Sequence, residues 1–115
     1  MTKKKSISDE KKRTSPPPSS LTLREAIDFG EYKPEYLEQF EEWETLSPHI
    51  QWELIRKALD IRHKQLITQY AELNNVLNLS KKPQVQLAMK DMENQLDDFM
   101  QDREALYVEY SRKMV

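Results

Sequence analysis

The sequence contains no cysteine and only one glycine, Gly30, among its 115 residues. The lack of cysteine excludes a disulfide framework and a thiolate metal site. Sheets depend on tight turns, and the usual hairpin turns contain glycine, often as Asn-Gly, a pair that this chain lacks. Both a small disulfide-stapled fold and a β-rich fold are therefore disfavoured.

Long apolar runs are also missing from the chain. No segment approaches the roughly 18 consecutive apolar residues that a membrane-spanning helix needs. The N-terminus lacks the apolar stretch of a secretory signal, so we expect a cytoplasmic protein that does not insert into membranes. Charged residues make up 33% of the sequence. That share, together with abundant Leu, Glu, Lys and Gln, is typical of long helices.

The first 20 residues differ in composition from the rest. Apart from Met1, their only apolar side chain is Ile7, and six bases stand against Asp9 and Glu10. A segment this polar cannot bury enough surface to offset the entropy of ordering. We predict a disordered, basic, Pro-rich arm over residues 1–20 and a single helical domain over residues 21–115. The arm's bases are candidate contacts for a polyanion such as nucleic acid. They are Lys3, Lys4, Lys5, Lys11, Lys12 and Arg13.

An unbroken heptad seam occupies the C-terminal third of the chain. Its members are spaced alternately four and three residues apart, with one polar intruder. They are Val85, Met89, Met92, Leu96, Phe99, Arg103, Leu106 and Tyr110. Ser80 can cap a helix in which Pro83 lies within the first turn. The pattern predicts a helix over residues 82–113.

The preceding segment carries a matching seam. Ser47 and Pro48 form a helix start, and no helix breaker follows before Ser80, so a helix over residues 48–78 is predicted. Its seam consists of Trp52, Arg56, Leu59, His63, Leu66, Tyr70, Leu73 and Leu77. Because the connection is only a few residues long, the two helices must be antiparallel neighbours. The resulting register pairs Leu66 with Leu96 and Leu59 with Arg103.

Each long helix also carries a second apolar stripe at the end remote from the connection. The stripes consist of Ile50, Leu54, Ala58 and Ile61 on the first helix, and Met100, Tyr107 and Met114 on the second. A two-helix hairpin by itself is marginally stable, so we expect the N-terminal segment to cover these stripes.

The N-terminal segment predicts two short helices. Thr22 and Glu25 have the spacing of a capping box, and Gly30 stands where the first helix should end. Pro34 opens a second helix in which Tyr36, Phe40 and Trp43 share one face at i, i+4 and i+7. Its other face is acidic, with Glu35, Glu38, Glu41 and Glu42. The predicted fold is all-α, with a long antiparallel helical hairpin and two short N-terminal helices packed across its base.

Signatures of catalysis are absent, because the chain has no Gly-rich phosphate loop and no Ser/His/Asp arrangement. We therefore expect no enzyme activity, catalytic residue, cofactor or metal. Asp60 and His63 lie one turn apart, as metal ligands of di-iron bundles do, but the second long helix offers no His. The favoured interpretation places His63 at the edge of the seam, with Asp98, Asp102 or a backbone group as its partner.

Two further polar features have alternative interpretations. Arg103 in the seam pairs with Asp60 or another acid near Leu59, or it anchors an anionic ligand, and we favour the ion pair. Residues 54–90 hold seven bases and two acids, whereas residues 91–115 hold seven acids and three bases. The register then places Arg56, Lys57, Arg62 and Lys64 near Glu104, Asp102, Asp98 and Asp97. Because residues 21–115 carry 12 bases and 18 acids, a DNA-binding face on the helices is disfavoured.

Apolar side chains remain around the tip of the predicted hairpin. The candidate partner-binding residues are Ile67, Ala71, Val76, Leu79 and Leu87. Either they form an exposed binding surface, or Leu79 and Leu87 simply close the loop. The leading prediction is a non-catalytic interaction protein, namely an adaptor, assembly factor or small regulator that binds another protein or complex. Homodimerisation into a four-helix bundle is one option within it. The alternative is a nucleic-acid-associated accessory protein that acts through the arm.

Overall fold

The computed structural model describes residues 20–79 and 83–115, without the side chains of residues 76–79. The chain divides into an N-terminal unit, Met1–Ala58, and a C-terminal unit, Leu59–Val115. One long helix contributes residues to both units. The described residues are helical or irregular and contain no strand, which confirms the all-α prediction. Apart from Ser20, the predicted arm lies outside the described residues.

The first helix, α1, spans Leu23–Asp28 and begins at the predicted capping box. The Glu25 amide donates to Thr22 Oγ1 at 3.1 Å, and the Thr22 amide donates to Glu25 Oε1 at 3.0 Å. These two bonds satisfy amide groups that have no partner within the helix. Glu25 also places a negative charge at the positive end of the helix dipole.

Gly30 ends α1, as predicted. It has a positive φ of 87°, a conformation that costs little for glycine alone. The Gly30 amide donates to the Ile27 carbonyl at 2.9 Å, and the Glu31 amide donates to the Ala26 carbonyl at 3.0 Å. This pair of bonds is the Schellman arrangement, which satisfies the last carbonyls of the helix and turns the chain.

The predicted second short helix is interrupted. Helix α2 spans only Pro34–Leu37, and a 3₁₀ helix follows over Glu41–Thr45. Between them, Phe40 has an extended backbone with φ −89° and ψ 128°, so a single amphipathic helix is the wrong description. The glutamates of this segment recur three and four residues apart, and like charges at these spacings destabilise a helix.

The three aromatic side chains of this segment are nevertheless buried. Tyr36, Phe40 and Trp43 are exposed by only 5%, 6% and 2%. The rings of Tyr36 and Phe40 meet edge to face, with 5.9 Å between their centroids. The prediction that these aromatics belong to the core is therefore confirmed, although a continuous helix does not present them.

The long helix α3 spans Pro48–Leu79 and confirms the predicted boundaries. Ser47 Oγ accepts a hydrogen bond from the Ile50 amide at 3.3 Å, which caps the helix start. In the N-terminal unit, α1, α2 and the 3₁₀ helix pack on residues 48–58 of α3. Gln51 Nε2 donates to the Trp43 carbonyl at 2.9 Å across this contact. The apolar core of the unit comprises Leu23, Ala26, Ile27, Tyr32, Tyr36, Leu37, Phe40, Trp43, Trp52, Ile55 and Ala58.

The C-terminal unit is an antiparallel hairpin. It joins residues 59–79 of α3 to helix α4, which spans Pro83–Lys113. Pro83 opens α4 as predicted, whereas the proposed cap Ser80 lies outside the described residues. The seam residues that are buried in this unit are Leu59, Leu66, Met89, Met92, Phe99, Leu106 and Tyr110.

The ring of His63 stacks on that of Phe99, with 5.4 Å between centroids. His63 lies three residues before Leu66, and Phe99 lies three residues after Leu96. The contact therefore fits the register in which Leu66 and Leu96 are opposite each other.

Two details of the predicted seams are wrong. On α3, Arg56 is exposed and Ile55 is fully buried. Both residues are about one turn from Trp52, and the apolar one is buried because burying a charge without a partner is costly. On α4, the second stripe is only partly covered, since Met100 is 43% exposed and Tyr107 is 49% exposed, whereas Met114 is half-buried. A helix that packs on its neighbour along one seam leaves an adjacent stripe in contact with water. On α3, Ile50 likewise stays 48% exposed, whereas Ala58 is buried.

Candidate interaction surfaces

Phe99 is the centre of the polar contacts in the seam of the C-terminal unit. Its side chain is 2% exposed. The rings of His63 and Phe99 are inclined by 19°, and the guanidinium carbon of Arg103 lies 5.8 Å from the Phe99 ring centroid. A guanidinium over an aromatic face is attracted by the negative charge of that face. One buried ring thus accommodates the polar side chains of both His63 and Arg103.

These contacts correct two predictions. His63 lies against an aromatic ring rather than against Asp98 or Asp102. Arg103 makes no ion pair with Asp60 within the described residues, and its contact is with Phe99. Both side chains are half-buried, so their polar ends can reach water while their flat surfaces pack on the ring.

The described part of the chain contains no group of three or more potential metal-binding side chains. Asp60 is exposed, and its helical neighbour His63 packs on Phe99. The second histidine, His49, is exposed near the start of α3. The described residues therefore offer no donor set in which to place a metal ion.

Two of the bases predicted to pair with acids of the second long helix, Arg56 and Lys57, have other partners. Lys57 Nζ lies 3.6 Å from Asp28 Oδ1 at the end of α1, and Arg56 Nη1 lies 3.6 Å from Glu53 Oε2 on the same helix. All four side chains are more than half exposed, so these pairs contribute little to stability. The Lys57–Asp28 pair links α1 to α3 within the N-terminal unit.

Three of the five candidate partner-binding residues have described side chains, and all three lie at the surface. Ile67 is 47% exposed, Leu87 is 71% exposed, and Ala71 is exposed as well. The side chains of Val76 and Leu79 lie outside the description, as do the six bases of the arm. Whether the five candidates form one surface stays a prediction.

Leu87 occupies the back of α4. It is two residues from the buried Met89, which turns its side chain about 200° away from that position. Among the described residues only the terminal Val115 exceeds Leu87 in exposure within the large apolar set. Leu87 is thus an apolar side chain with no place in the seam of its own hairpin.

A second apolar group on α4, which the sequence predicts to be covered, is exposed instead. Met100, Tyr107 and Val108 are 43%, 49% and 45% exposed. The sequence groups the first two as a stripe, and their spacing of seven residues shows that they share a face. What the spacing does not show is that this stripe lies in water.

The acidic segment around α2 presents carboxylates on its outer side. Its glutamates are all exposed, while the aromatic residues between them are buried. The exposed set is Glu35, Glu38, Glu41, Glu42 and Glu44. The aromatic residues are therefore part of the core and are not available to a partner. Only the acidic outer face of this segment is accessible.

A shallow groove runs along one side of α3. It is lined by Ile61, Lys64, Gln65, Thr68 and Gln69. All five side chains come from a single helix, so the groove is an open furrow between neighbouring turns. It lacks the convergent polar groups from several elements that usually fix a small ligand.

Comparison with known proteins gives no relative from which a site can be transferred. No protein-family model, no curated protein and no solved structure matches the chain. Among the described helices, none has a stretch long and apolar enough to cross a membrane.

Proposed function

We propose that this protein is a non-catalytic interaction module of the cytoplasm that binds another protein or complex through its helix faces. Adaptor, assembly factor and small regulator of a larger complex are the roles that fit this class. The observation that carries the proposal is the 71% exposure of Leu87 on the back of α4. Burying a leucine side chain is worth about 1.5–3 kcal/mol, which a partner that covers this position would gain.

The surroundings of Leu87 support this proposal. The C-terminal unit has a single seam, which already holds its buried apolar residues. Ile67 and Leu87 lie outside that seam and are not buried within the hairpin. Both belong to one two-helix unit, where they are available to a partner.

The test compares the wild type with Leu87→Asp by quantitative affinity purification from the native host. Asn94→Asp is the matched control, because it also adds one charge at an exposed position of the back of α4. We expect all three proteins to have the same helical circular dichroism and only Leu87→Asp to lose partners. Equal recovery of partners by Leu87→Asp and the wild type would remove Leu87 from the proposed surface.

Homodimerisation is a specific form of the same proposal. Two hairpins can bury exposed apolar residues against each other in a four-helix bundle. Light scattering on the purified full chain measures the molar mass directly. A dimer that Leu87→Asp converts to a monomer supports this form, whereas a wild-type monomer excludes it.

The second candidate is a nucleic-acid-associated protein that acts through its arm. Its support is the excess of six bases over two acids in residues 1–20. Such an arm would contact phosphates without sequence preference, and its affinity would fall steeply with salt. Deleting residues 1–20 should then abolish oligonucleotide binding and leave protein-partner capture intact. If the deletion instead abolishes all partner capture, binding through the helix faces is wrong.

A further inference from the structure

One face of α4 combines exposed apolar side chains with unneutralised carboxylates. We call it the acidic–apolar face; it consists of Glu93, Asp97, Met100, Glu104, Tyr107, Val108 and Ser111. Successive members are separated by one, three or four residues, which keeps them within about 100° around the helix. From Glu93 to Ser111 the face is about 27 Å long at about 1.5 Å per residue. All seven residues are exposed.

The apolar part of this face is concentrated in its C-terminal half. Met100 and Tyr107 are two turns apart, and Val108 adjoins Tyr107. Each is between 43% and 49% exposed. Two anchors separated by two turns match the i, i+7 spacing with which an amphipathic helix presents apolar side chains to a partner.

The charged part of the face has one sign. Glu93, Asp97 and Glu104 belong to it, and no Lys or Arg between residues 93 and 111 falls on it. In the described part of the chain, none of these three carboxylates makes an ion pair or a hydrogen bond. Their charge is therefore available to a partner of opposite sign.

This charge excludes several occupants. An anionic membrane surface and a nucleic acid backbone would both be repelled by three carboxylates around the apolar anchors. A second copy bound through the same face has no Lys or Arg there, so it cannot neutralise Glu93, Asp97 and Glu104. The arm of this chain is basic but has Ile7 as its only apolar residue after Met1, so it cannot cover the anchors.

We infer that the acidic–apolar face of α4 binds an amphipathic helix of another protein whose polar face is rich in Lys or Arg. The apolar stripe of that helix packs on Met100, Tyr107 and Val108. Its basic residues meet Glu93, Asp97 and Glu104, which fixes its orientation and speeds its association. The inference rests on the proposed function as an interaction module, but it places the partner on different residues from Leu87.

The test uses three synthetic 18-residue peptides and the full chain. The first peptide has Leu at i, i+3, i+4 and i+7 and Lys elsewhere. The second has Glu in place of Lys, and the third has the composition of the first with the Leu positions scrambled so that no stripe forms. Binding is followed by fluorescence anisotropy of labelled peptide.

We expect the Lys peptide to bind and the other two to bind at least about tenfold more weakly, since the interaction needs both charge and stripe. Raising the salt from about 50 mM to about 300 mM should weaken binding of the Lys peptide severalfold. The double substitution Met100→Ser with Tyr107→Ser should reduce its affinity about tenfold, as removal of central anchors does. Ala105→Ser, at an exposed position of α4 outside the face, should leave the affinity unchanged.

Three results would overturn the inference. They are equal binding of the scrambled peptide, unchanged affinity of the Met100→Ser, Tyr107→Ser protein, and loss of binding on Ala105→Ser. If the Ser variant has an altered circular dichroism spectrum, a triple variant with Glu93→Gln, Asp97→Asn and Glu104→Gln is tested in its place. Its substitutions exchange exposed carboxylates for amides of similar size and so preserve the fold. That variant must lose both affinity and salt dependence. A further outcome is that the peptides fail to bind while the protein still captures partners through Leu87. That combination would refute binding at this face and leave the proposed function standing.

Discussion

The imidazole of His63 on α3 stacks on the phenyl ring of Phe99 on α4, with ring centroids 5.4 Å apart and planes inclined by 19°. The contact joins the two helices of the C-terminal unit at one level. It sets their relative register, because a shift by one turn would move either ring about 5 Å along the helix axis. Arg103 lies near the same ring, so Phe99 contacts polar side chains from both helices.

We expect His63 and Phe99 to be energetically coupled. In a double-mutant cycle with His63→Ala and Phe99→Leu, the coupling energy should be about 0.5–1.5 kcal/mol, as for other stacked aromatic pairs. Urea unfolding of the four proteins measures it. A control cycle combines Lys64→Ala with Phe99→Leu. Lys64 is exposed, so this pair should show no coupling. Strict additivity in the first cycle would contradict the stacking.

Leu66→Asp should unfold the C-terminal hairpin. Leu66 is only 6% exposed at the seam, and the substitution buries a carboxylate where no partner is provided. The loss of the apolar side chain alone costs about 2–5 kcal/mol, comparable with the whole stability of a small helical unit. Circular dichroism and thermal melting report the loss.

The neighbouring Ile67→Asp is the matched control for Leu66→Asp. Ile67 is 47% exposed, so the same new charge stays in water and the helical signal should be retained. Similar melting temperatures for the two variants would show that Leu66 is not a seam residue.

Gly30→Ala should destabilise the N-terminal unit. Gly30 has φ 87°, and a β-carbon in this region costs about 1–2 kcal/mol. Gly30→Asn should cost less, because asparagine tolerates the left-handed region better than alanine does. The free energy of unfolding in urea gives the order, and a Gly30→Ala protein as stable as the wild type would be inconsistent with the Schellman turn.

Thr22→Ala should cost about 1 kcal/mol, the usual effect of removing an N-cap side chain. The substitution removes the acceptor of the 3.1 Å bond from the Glu25 amide. Thr22→Ser keeps a hydroxyl at the same position and should retain most of the stability. Equal losses in the two variants would point to the threonine methyl group rather than the cap.

Local signals predicted the start and end of α1 and the starts of α3 and α4. The Thr22–Glu25 capping box, Gly30, Ser47–Pro48 and Pro83 each act within one or two turns, so their effect can be calculated without the rest of the chain. The regular seam of α4 was predictable for a similar reason, since a heptad spacing is compatible with only one buried face.

Other features could not be predicted because they depend on which surfaces meet. The break at Phe40 lies in a segment whose glutamates weaken a helix, but the spacing of its three aromatic residues still suits a continuous one. The choice of Ile55 over Arg56 for burial, and of Phe99 as the partner of His63, likewise requires the positions of neighbouring elements.

Composition and spacing by themselves determined that the chain is helical, where its long helices begin, and which way they run. These properties follow from backbone hydrogen bonding, capping and periodicity, which act over short distances. Only the tertiary structure decided which apolar side chains remain in water, because burial depends on the neighbours that each face acquires. Leu87, Met100 and Tyr107 are apolar like the residues of the core, and it is their position around α4 that makes them a surface.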